Sequence, residues 1–302
     1  MSNYIVFDIG GSSVKWSIMS KMGDILTKDK IKVVDSVDQF FEELSKIVNI
    51  NKDNFNLKGI AISSPGAVDS ITGIVGGASA IPYIHGPNFK EILKEKTGLD
   101  VAIENDANCA ALGECWLGAA KEENDCAFVV CGSGIGGAIV KDKKVHTGIH
   151  KHGGEFGYCI VDYDKDGEEK YLTWSRVGST SALARAISQR KGLEEKDIDG
   201  LKAFQLYDEG DIIAVEEVNK YFRYMAIGIY NIQYTYDPEV IVLGGAISER
   251  EGYIESINEK LDEIMCNNTD GKIKPIVKKC IHGNDANMIG ALYNLLNENQ
   301  RK

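Results

Sequence analysis

Two stretches of the chain repeat one design, FDIGGSSVKW at residues 7–16 and VCGSGIGGAI at residues 130–139. Each is typical of a strand, a glycine-rich turn and a second strand, because apolar strand formers stand on both sides of the glycines. A turn rich in glycine exposes several backbone N–H groups with no side chain in the way, which suits it to hold phosphate oxygens. Two such turns predict two related lobes that close on one nucleotide.

The second turn also matches the dinucleotide fingerprint GxGxxG through Gly132, Gly134 and Gly137. That match is weak by itself, and the fingerprint requires a helix directly after the turn. Here the glycines lead instead into Ala-Ile-Val and a Lys-Asp-Lys turn at 141–143, which is typical of a hairpin. The sequence therefore argues against NAD and favours phosphate binding, although a plain tight hairpin is the alternative for either turn taken alone.

The bulk composition is that of a globular protein that binds neither nucleic acid nor membrane. At 302 residues the chain can bury a large core and form two lobes. Its net charge of −11 argues against nucleic acid as a partner, and it has no apolar run long enough to span a bilayer. A strand that begins by Tyr4 leaves no signal peptide to expect. The seven cysteines form no CxxC pair, which predicts free thiols and a cytoplasmic protein.

The hydrophobic pattern predicts the order of the elements. Predicted strands cover 4–8, 14–18, 25–33, 59–63, 101–104, 126–131, 138–140, 144–146 and 240–243. Predicted helices cover 39–48, 89–96, 105–117, 179–190, 213–236 and 286–297. Residues 160–171 are acidic and rich in turn formers, which predicts a surface excursion, and we place the lobe boundary near 117–125.

Asp8 stands at the end of a buried strand and faces the first glycine turn. A carboxylate there can hold Mg²⁺, usually through water, beside nucleotide phosphates. It can also bond to the backbone of the turn, as Asp often does. The two roles are compatible.

Asn105 and Asp106 lie between a strand and the start of a helix. By themselves they are typical of a plain helix cap. The functional alternative makes Asp106 the base for a substrate hydroxyl, with Asn105 as its hydrogen-bonding neighbour, since phosphoryl transfer needs a group that orients the attacking hydroxyl.

Glu155 lies in a segment rich in small residues, His152–Tyr158, and is a candidate for binding sugar hydroxyls, because carboxylates accept paired O–H bonds. A solvated glutamate on a loop is the alternative. The nearby histidines at 146, 150 and 152 lack cysteine neighbours, so we do not expect a metal there. Gly244 and Gly245 close a strand and would let an adenosine ring approach the backbone.

Taken together, these residues resemble the sugar kinases of the repressor–open reading frame–kinase (ROK) family, over nearly the whole chain. The motifs that carry the resemblance are DIGGSSVK at 8–15, SSPG at 63–66, ENDANCAALGE at 104–114, GSGIGG at 132–137, GEFG at 154–157 and DPEVIVLGG at 237–245. The family implies an α/β, two-lobed, actin/hexokinase-like (ribonuclease H-like) duplicated fold with a central cleft. It further implies a small lobe over 1–117, completed by a helix at 286–300, and a large lobe over 118–285.

The resemblance implies a homodimeric enzyme that transfers the γ-phosphate of ATP to the 6-hydroxyl of a hexose. Asp106 becomes the catalytic base, and Asp8 goes with Mg²⁺. Besides Asp106, the residues implied to hold the sugar are Gly66, Ser79, Asn105, Glu155 and Tyr158. Those implied to bind ATP are Asp8, Gly10, Gly11, Ser12, Lys15, Gly132, Ser133, Gly134, Gly136, Gly137, Gly244 and Gly245.

Two departures from the family pattern bear on the substrate. Family members usually carry a histidine where this chain has Tyr158, then a cysteine-rich zinc loop, then a glutamate near the position of Thr173. Residues 161–174 contain no cysteine, so we expect no structural zinc. The missing histidine and glutamate normally contact the sugar near its anomeric end, so their loss favours a β-glucoside such as cellobiose beside free glucose.

Other functions are less well matched. An N-acetylmannosamine kinase or a fructokinase is the alternative within the same class, and a non-catalytic sugar-sensing regulator is the alternative from another class. A ROK-type repressor would need an N-terminal helix-turn-helix, yet the first phosphate loop begins at Asp8. A nucleotide-dependent chaperone or filament protein would lack the combination of Asn105, Asp106 and Glu155.

Overall fold

The computed structural model describes residues 2–164, 171–268 and 270–300. Its strands are β1 (Asn3–Ile9), β2 (Ser13–Ser20), β3 (Ile25–Lys32), β4 (Leu57–Ser64), β5 (Ala67–Asp69), β6 (Ile74–Gly76), β7 (Val101–Asn105), β8 (Cys126–Cys131), β9 (Ile135–Lys141), β10 (Lys144–Val145), β11 (Ile160–Tyr163), β12 (Tyr171–Thr173), β13 (Val240–Gly244) and β14 (Val277–Lys279). Its α-helices are α1 (Val37–Asn51), α2 (Phe89–Thr97), α3 (Asp106–Leu117), α4 (Trp174–Gly178), α5 (Thr180–Lys191), α6 (Gly200–Asp208), α7 (Ile212–Tyr236), α8 (Tyr253–Asn267) and α9 (Ala286–Gln300).

The predicted strands and helices are present, with ends that differ by a few residues. The surface excursion predicted at 160–171 is largely exposed where it is described, and its residues 160–163 form β11, which pairs antiparallel with β12 and was not predicted. Residues 165–170 of the predicted excursion lie outside the described residues. The pattern did not predict the short strands β5, β6, β12 and β14 or the helices α4, α6 and α8.

The chain divides into two compact units. Unit 1 consists of Met1–Lys121, Lys143–Gly153 and Asn284–Lys302, and unit 2 of Glu122–Asp142 and Gly154–Gly283. The lobe boundaries predicted from the sequence stay a prediction.

Unit 1 contains a five-stranded sheet in the order β3-β2-β1-β4-β7. The first three strands are antiparallel neighbours, whereas β1, β4 and β7 run parallel. Successive side chains of a strand point to opposite faces, and β1 is apolar on both. Ile5 and Phe7 pack with apolar residues of α1 and α2, whereas Tyr4 and Val6 pack with those of α9. The sheet is therefore covered by helices on both faces.

Helices α3 and α9 touch backbone to backbone. A Cβ on Gly113 would lie 2.5 Å from the carbonyl oxygen of Ala286, and a Cβ on Gly290 would lie 1.6 Å from that of Cys109. No side chain fits in this contact, so the two glycines set how closely the helices cross. The contact holds α9 against the helix that begins at Asp106.

Unit 2 contains strands in the order β9-β8-β13-β14. Strands β8 and β9 are antiparallel, whereas β8, β13 and β14 run parallel. Buried aromatic residues of α4, α7 and α8, Trp174, Tyr221 and Tyr253, lie at the centre of the core.

The two units repeat one strand pattern. In unit 1 the order β2-β1-β4-β7 gives an antiparallel hairpin followed by two parallel strands, and β9-β8-β13-β14 gives the same pattern in unit 2. A glycine-rich turn joins the hairpin in each unit. The α/β class and the duplication predicted from the paired turns are thus present. Among the described residues, no helix combines the length and apolarity needed to cross a membrane.

Candidate active site

The first glycine turn joins β1 to β2. The Gly10 N–H donates to the Ser13 carbonyl oxygen at 3.0 Å, which closes the turn. Gly11 and Ser12 are exposed at its tip. A Cβ on Gly11 would lie 2.9 Å from that of Ala80, so a larger residue would push this segment away. The turn therefore presents backbone rather than side chains.

Asp8 is the last but one residue of β1 and is buried, with 7% of its surface exposed. Its Oδ1 accepts hydrogen bonds from Ser63 Oγ at 2.9 Å and from Asn287 Nδ2 at 3.1 Å. Among the described residues, the partner of its Oδ2 is the Lys15 ammonium, at the long distance of 3.5 Å. One oxygen is thus fixed by neighbours while the other keeps capacity to accept from a metal-bound water. This arrangement fits a water-mediated Mg²⁺ contact.

The Asn105 side chain caps α3 and ties it to another loop. Its Oδ1 accepts from the N–H groups of Ala107 at 2.9 Å and Asn108 at 3.2 Å, which satisfies two orphan donors of the helix end. Its Nδ2 donates to the Gly66 carbonyl oxygen at 3.0 Å. The cap expected from the sequence is present, and the same side chain brings the Gly66 turn to the start of α3.

Asp106 is the first residue of α3. Burial raises the pKa of its carboxyl, and the nearby negative charge of Asp8 raises it further. The Ala107 N–H opposes this shift by donating to Oδ1 at 2.8 Å. Asp8 and Asp106 therefore lie close enough for their charges to interact. This is expected if Asp8 lies beside the phosphates and Asp106 beside the hydroxyl that attacks them. A raised pKa strengthens a carboxylate as a proton acceptor.

Glu104, just before this pair, is a second buried carboxyl, which the sequence did not mark as a functional candidate. Its Oε1 accepts from the Asn105 N–H at 2.8 Å and from Asn108 Nδ2 at 2.9 Å. Burial raises its pKa as well. Only 4% of its surface is exposed, so its role is to hold the residues at the start of α3 through these hydrogen bonds.

Gly66 and Ser79, both sugar candidates, meet at a histidine that the sequence did not single out. Ser79 Oγ lies 2.9 Å from His85 Nε2. Gly66 has a φ of +101°, and a Cβ there would lie 3.1 Å from His85 Cε1. A lone histidine in a loop gives no local signal, which explains why it was missed.

The second glycine turn joins β8 to β9 as the predicted hairpin. Gly137 is required by packing, because a Cβ there would lie 2.4 Å from the Phe128 carbonyl oxygen. A Cβ on Gly132, by contrast, would meet nothing within 4 Å. Space at the front of this turn is thus left open, as expected where a ligand approaches backbone N–H groups. Gly134 is nearly as free, and Gly136 lies 3.3 Å from a side-chain atom of Val130 by the same measure.

Thr180, the first residue of α5, holds the second turn from behind. Its N–H and its Oγ1 both donate to the Gly132 carbonyl oxygen, at 3.0 and 2.7 Å. These two bonds fix the backbone of Gly132, and the next residue, Ser133, is exposed at the tip of the turn.

A cavity of about 700 Å³ lies beside this turn, and its lining belongs to unit 2. Gly132, Thr180, Phe204 and Arg250 are among the residues that line it. Arg250 binds both carboxylate oxygens of Asp208, which lowers the pKa of that carboxyl, and its guanidinium lies 4.8 Å from the Phe204 ring centre. A guanidinium fixed in this way forms a flat wall suited to a planar base.

Gly244 and Gly245 let the end of β13 lie against β8. A Cβ on Gly244 would meet the Phe128 ring at 2.6 Å, and one on Gly245, which has a φ of +95°, would lie 2.1 Å from the Cys131 carbonyl oxygen. The next residue, Ala246, lines the cavity. These glycines are thus explained by packing and also lead into the cavity.

Glu155 begins a short 3₁₀ turn, Phe156–Tyr158. The turn is closed by the Tyr158 N–H, which donates to the Glu155 carbonyl oxygen at 3.2 Å. Both side chains are exposed, and within the described part of the chain the Glu155 carboxylate has no hydrogen-bond or ion-pair partner. Gly154 is buried with a φ of +91°, and a Cβ there would lie 2.6 Å from the Ala138 Cα, which fixes the turn on β9.

The structure therefore gathers the predicted residues in two groups. Unit 1 contains the first glycine turn with Asp8 and Lys15 beside it, the Gly66 turn with Ser79, and the pair Asn105–Asp106. Unit 2 brings together the second turn and the Gly244–Gly245 corner, and carries Glu155 and Tyr158 on a turn that follows. Among the described residues, no group of three or more His, Cys, Asp or Glu side chains is placed to hold a metal.

Residues 4–298 match the model of the ROK family, so the chain belongs to this family. The chain is 33% identical to a β-glucoside kinase of Listeria innocua, over 98% of each chain. It is 27% identical to an N-acetyl-D-glucosamine kinase of Aliivibrio fischeri, over 96% of this chain and 98% of that one. The structure of a ROK family protein from Streptococcus pneumoniae in complex with sucrose is similar at a TM-score of 0.90 and 35% identity, covering 99% of this chain and all of that one.

These similarities confirm the predicted fold, which is the duplicated actin/hexokinase-like fold of the ROK sugar kinases. They also support a sugar kinase, a phosphotransferase, as the class of enzyme.

Proposed function

We propose that this protein transfers the γ-phosphate of ATP to the 6-hydroxyl of a hexose, and that its preferred acceptor is glucose or a β-glucoside such as cellobiose. The observation that carries this proposal is Asp106, a carboxyl whose pKa is raised by burial and by Asp8 at the start of a helix. A raised pKa makes this carboxylate a stronger proton acceptor for a sugar hydroxyl.

Unit 1 supplies the acceptor side in this proposal. Asp106 accepts the proton of the 6-hydroxyl, while Asn105, Ser79 and the Gly66 turn hold the sugar. The hydroxyl oxygen forms the new bond to the γ-phosphorus, and the bond from that phosphorus to the β-phosphate oxygen breaks to release ADP. Most of the rate then comes from positioning and charge stabilisation.

Both units supply phosphate-binding backbone. Gly10–Ser12 and Lys15 bind phosphate oxygens in unit 1, and Gly132–Gly137 bind them in unit 2. Bound Mg²⁺ would neutralise the phosphates, and Oδ2 of Asp8, whose contact with Lys15 is long at 3.5 Å, would hold it through water. The cavity of about 700 Å³ takes the nucleoside of ATP, with Gly244–Gly245 beside it.

Glu155 and Tyr158 favour an acceptor with a substituent on C1. The Glu155 carboxylate has no partner within the described residues, so it can accept paired sugar hydroxyls. Tyr158 is 74% exposed, one turn away, where a second ring would attach. The names of the β-glucoside kinase relatives and the sucrose bound in a related structure support an acceptor of two rings.

A coupled ADP-release assay tests the proposal. Purified protein with ATP and Mg²⁺ is offered glucose, cellobiose, other β-glucosides, N-acetylmannosamine, N-acetylglucosamine, mannose and fructose, and the phosphorylated position is read by ³¹P and ¹³C NMR. We expect the highest kcat/KM for glucose or a β-glucoside, with phosphate on O6. Far higher efficiency on an N-acetylated sugar or fructose would refute the acceptor, and sugar binding without ADP release would point to a sensor.

We also propose a cytoplasmic homodimer, on the resemblance to the family. Light scattering on the eluted protein tests the dimer. A single species at the 33.1 kDa mass of the chain would contradict it.

A further inference from the structure

The hydrogen bonds of His85 specify which of its ring nitrogens carries a proton. Nδ1 lies 3.1 Å from the Gly76 carbonyl oxygen, and a carbonyl oxygen only accepts. In the neutral ring Nδ1 therefore carries the N–H, and Nε2 is the acceptor. Ser79 Oγ, 2.9 Å away, must donate to it.

This assignment determines what Ser79 can offer a ligand. Its proton is directed to His85, since the other acceptor within reach, the Ile81 carbonyl oxygen, is farther at 3.4 Å. The Ile81 N–H donates to Ser79 Oγ at 3.3 Å and occupies one lone pair. What remains is the second lone pair, so Ser79 is set to accept from a hydroxyl group.

The same imidazole supports a second element of the acceptor side. A Cβ on Gly66 would lie 3.1 Å from His85 Cε1 and 2.9 Å from the Gly76 carbonyl oxygen, so the turn rests directly on the ring and its partner. The Gly66 carbonyl oxygen in turn receives Asn105 Nδ2 at 3.0 Å. A shift of the ring would therefore be felt at Ser79 and at the Gly66 turn together.

We propose that His85 is a positioning residue of the sugar site. Its neutral ring, protonated on Nδ1, orients the Ser79 hydroxyl as an acceptor for one sugar hydroxyl and backs the Gly66 turn. The inference rests on the proposed function, because that proposal places Ser79 and Gly66 against the sugar.

Two substitutions separate the two nitrogens of the ring. In His85→Asn the side-chain amide reaches the Nδ1 position and keeps a donor for Gly76, but no acceptor remains for Ser79. In His85→Gln the amide oxygen reaches the Nε2 position and keeps that acceptor. A purely structural role predicts the opposite ranking, since Asn preserves the bond to the loop backbone.

The experiment compares KM for sugar, KM for ATP and kcat in the wild type, His85→Asn, His85→Gln, Ser79→Ala and the double variant His85→Asn/Ser79→Ala. We expect His85→Asn and Ser79→Ala each to raise the sugar KM by roughly two- to tenfold, the value of one hydrogen bond. We expect His85→Gln to stay close to the wild type, and KM for ATP to change in none. Because both substitutions remove the same interaction, the sugar KM of the double variant should be no higher than that of either single variant.

Each outcome decides a different claim. A wild type that phosphorylates no sugar overturns the proposed function and this inference with it. If the wild type is active, the proposed function stands and only the role of His85 is at stake. That role is refuted if His85→Asn keeps the wild-type sugar KM, or if the effects of His85→Asn and Ser79→Ala multiply in the double variant. If His85→Asn does not fold, the ranking of His85→Gln against Ser79→Ala decides, and a Gln variant as weak as Ser79→Ala refutes the inference.

Discussion

Replacing Asp106 with asparagine should abolish turnover while leaving the local structure in place. Asparagine keeps an oxygen for the Ala107 N–H, which donates to Oδ1 at 2.8 Å, so the start of α3 retains its hydrogen bond. The amide cannot accept a proton, and loss of a general base costs about 10²–10⁴-fold in kcat. That factor corresponds to about 3–5 kcal/mol in the barrier. The sugar KM should change by no more than about tenfold, the value of one hydrogen bond.

The same substitution should make the protein more stable. Burial and the charge of Asp8 raise the pKa of the Asp106 carboxyl in the folded state. The folded state therefore binds that proton more tightly than the unfolded state, and stability falls as pH rises through the ordinary and then the raised pKa. At neutral pH the ionised carboxylate is a net cost that asparagine lacks. The gain in melting temperature should shrink in acid, below the ordinary Asp pKa of about 3.9.

Glu104→Gln is the matched control for this experiment. It removes a neighbouring buried carboxyl whose pKa is also raised by burial, and its amide oxygen can still accept from the Asn105 N–H. We expect a similar gain in stability at neutral pH with near-normal turnover, measured by thermal unfolding and the coupled assay. Near-normal turnover of Asp106→Asn would refute its role as the base. A fall in its melting temperature at neutral pH would refute the electrostatic reasoning.

Three further predictions follow from the contacts described above. Gly290→Ala should destabilise the protein by about 1–3 kcal/mol or more, because its Cβ would lie 1.6 Å from the Cys109 carbonyl oxygen; an unchanged thermal midpoint would contradict the close crossing. Thr180→Val loses the 2.7 Å bond from Oγ1 to the Gly132 carbonyl oxygen and should raise KM for ATP by roughly two- to tenfold, with the sugar KM unchanged. Thr180→Ser keeps the hydroxyl and is the active control. Equal effects on both KM values would argue against a specific role in ATP binding. The base must be ionised and the pKa of Asp106 is raised, so kcat/KM for sugar should begin to fall at a pH above the ordinary Asp pKa of about 3.9. A profile that stays flat down to about pH 4 would contradict this prediction.

The sequence was most informative where a local pattern carries the structure. The two glycine-rich hairpins and the strand-to-helix junction at Asn105 depend on neighbouring residues, and all three are present as predicted. Packing then explains Gly137 through the Phe128 carbonyl, whereas Gly132 has no such need. The distinction between a glycine required by the fold and one left open for a ligand is visible only in three dimensions.

The parts that sequence reasoning missed are assembled from distant segments. The cavity in unit 2 needs Gly132, Thr180, Phe204 and Arg250 to converge, and no local pattern relates these positions. His85 was missed because one of its partners is a backbone carbonyl, which has no sequence signature. Strand β11, inside the surface excursion predicted at 160–171, was missed because its acidic and turn-forming residues give no strand pattern and its partner β12 is equally short.

The bond between Asn287 and Asp8 joins positions 279 residues apart within unit 1. At a synthesis rate of about 5–20 residues per second, roughly 15–55 s therefore pass between the synthesis of β1 and that of α9. Throughout that time the sheet face that α9 covers, and the carboxylate of Asp8, lack a partner that the finished protein provides. Unit 2, whose segments are complete by Gly283, can be assembled earlier. The nascent chain is thus expected to need chaperone protection at its oldest end rather than at its newest.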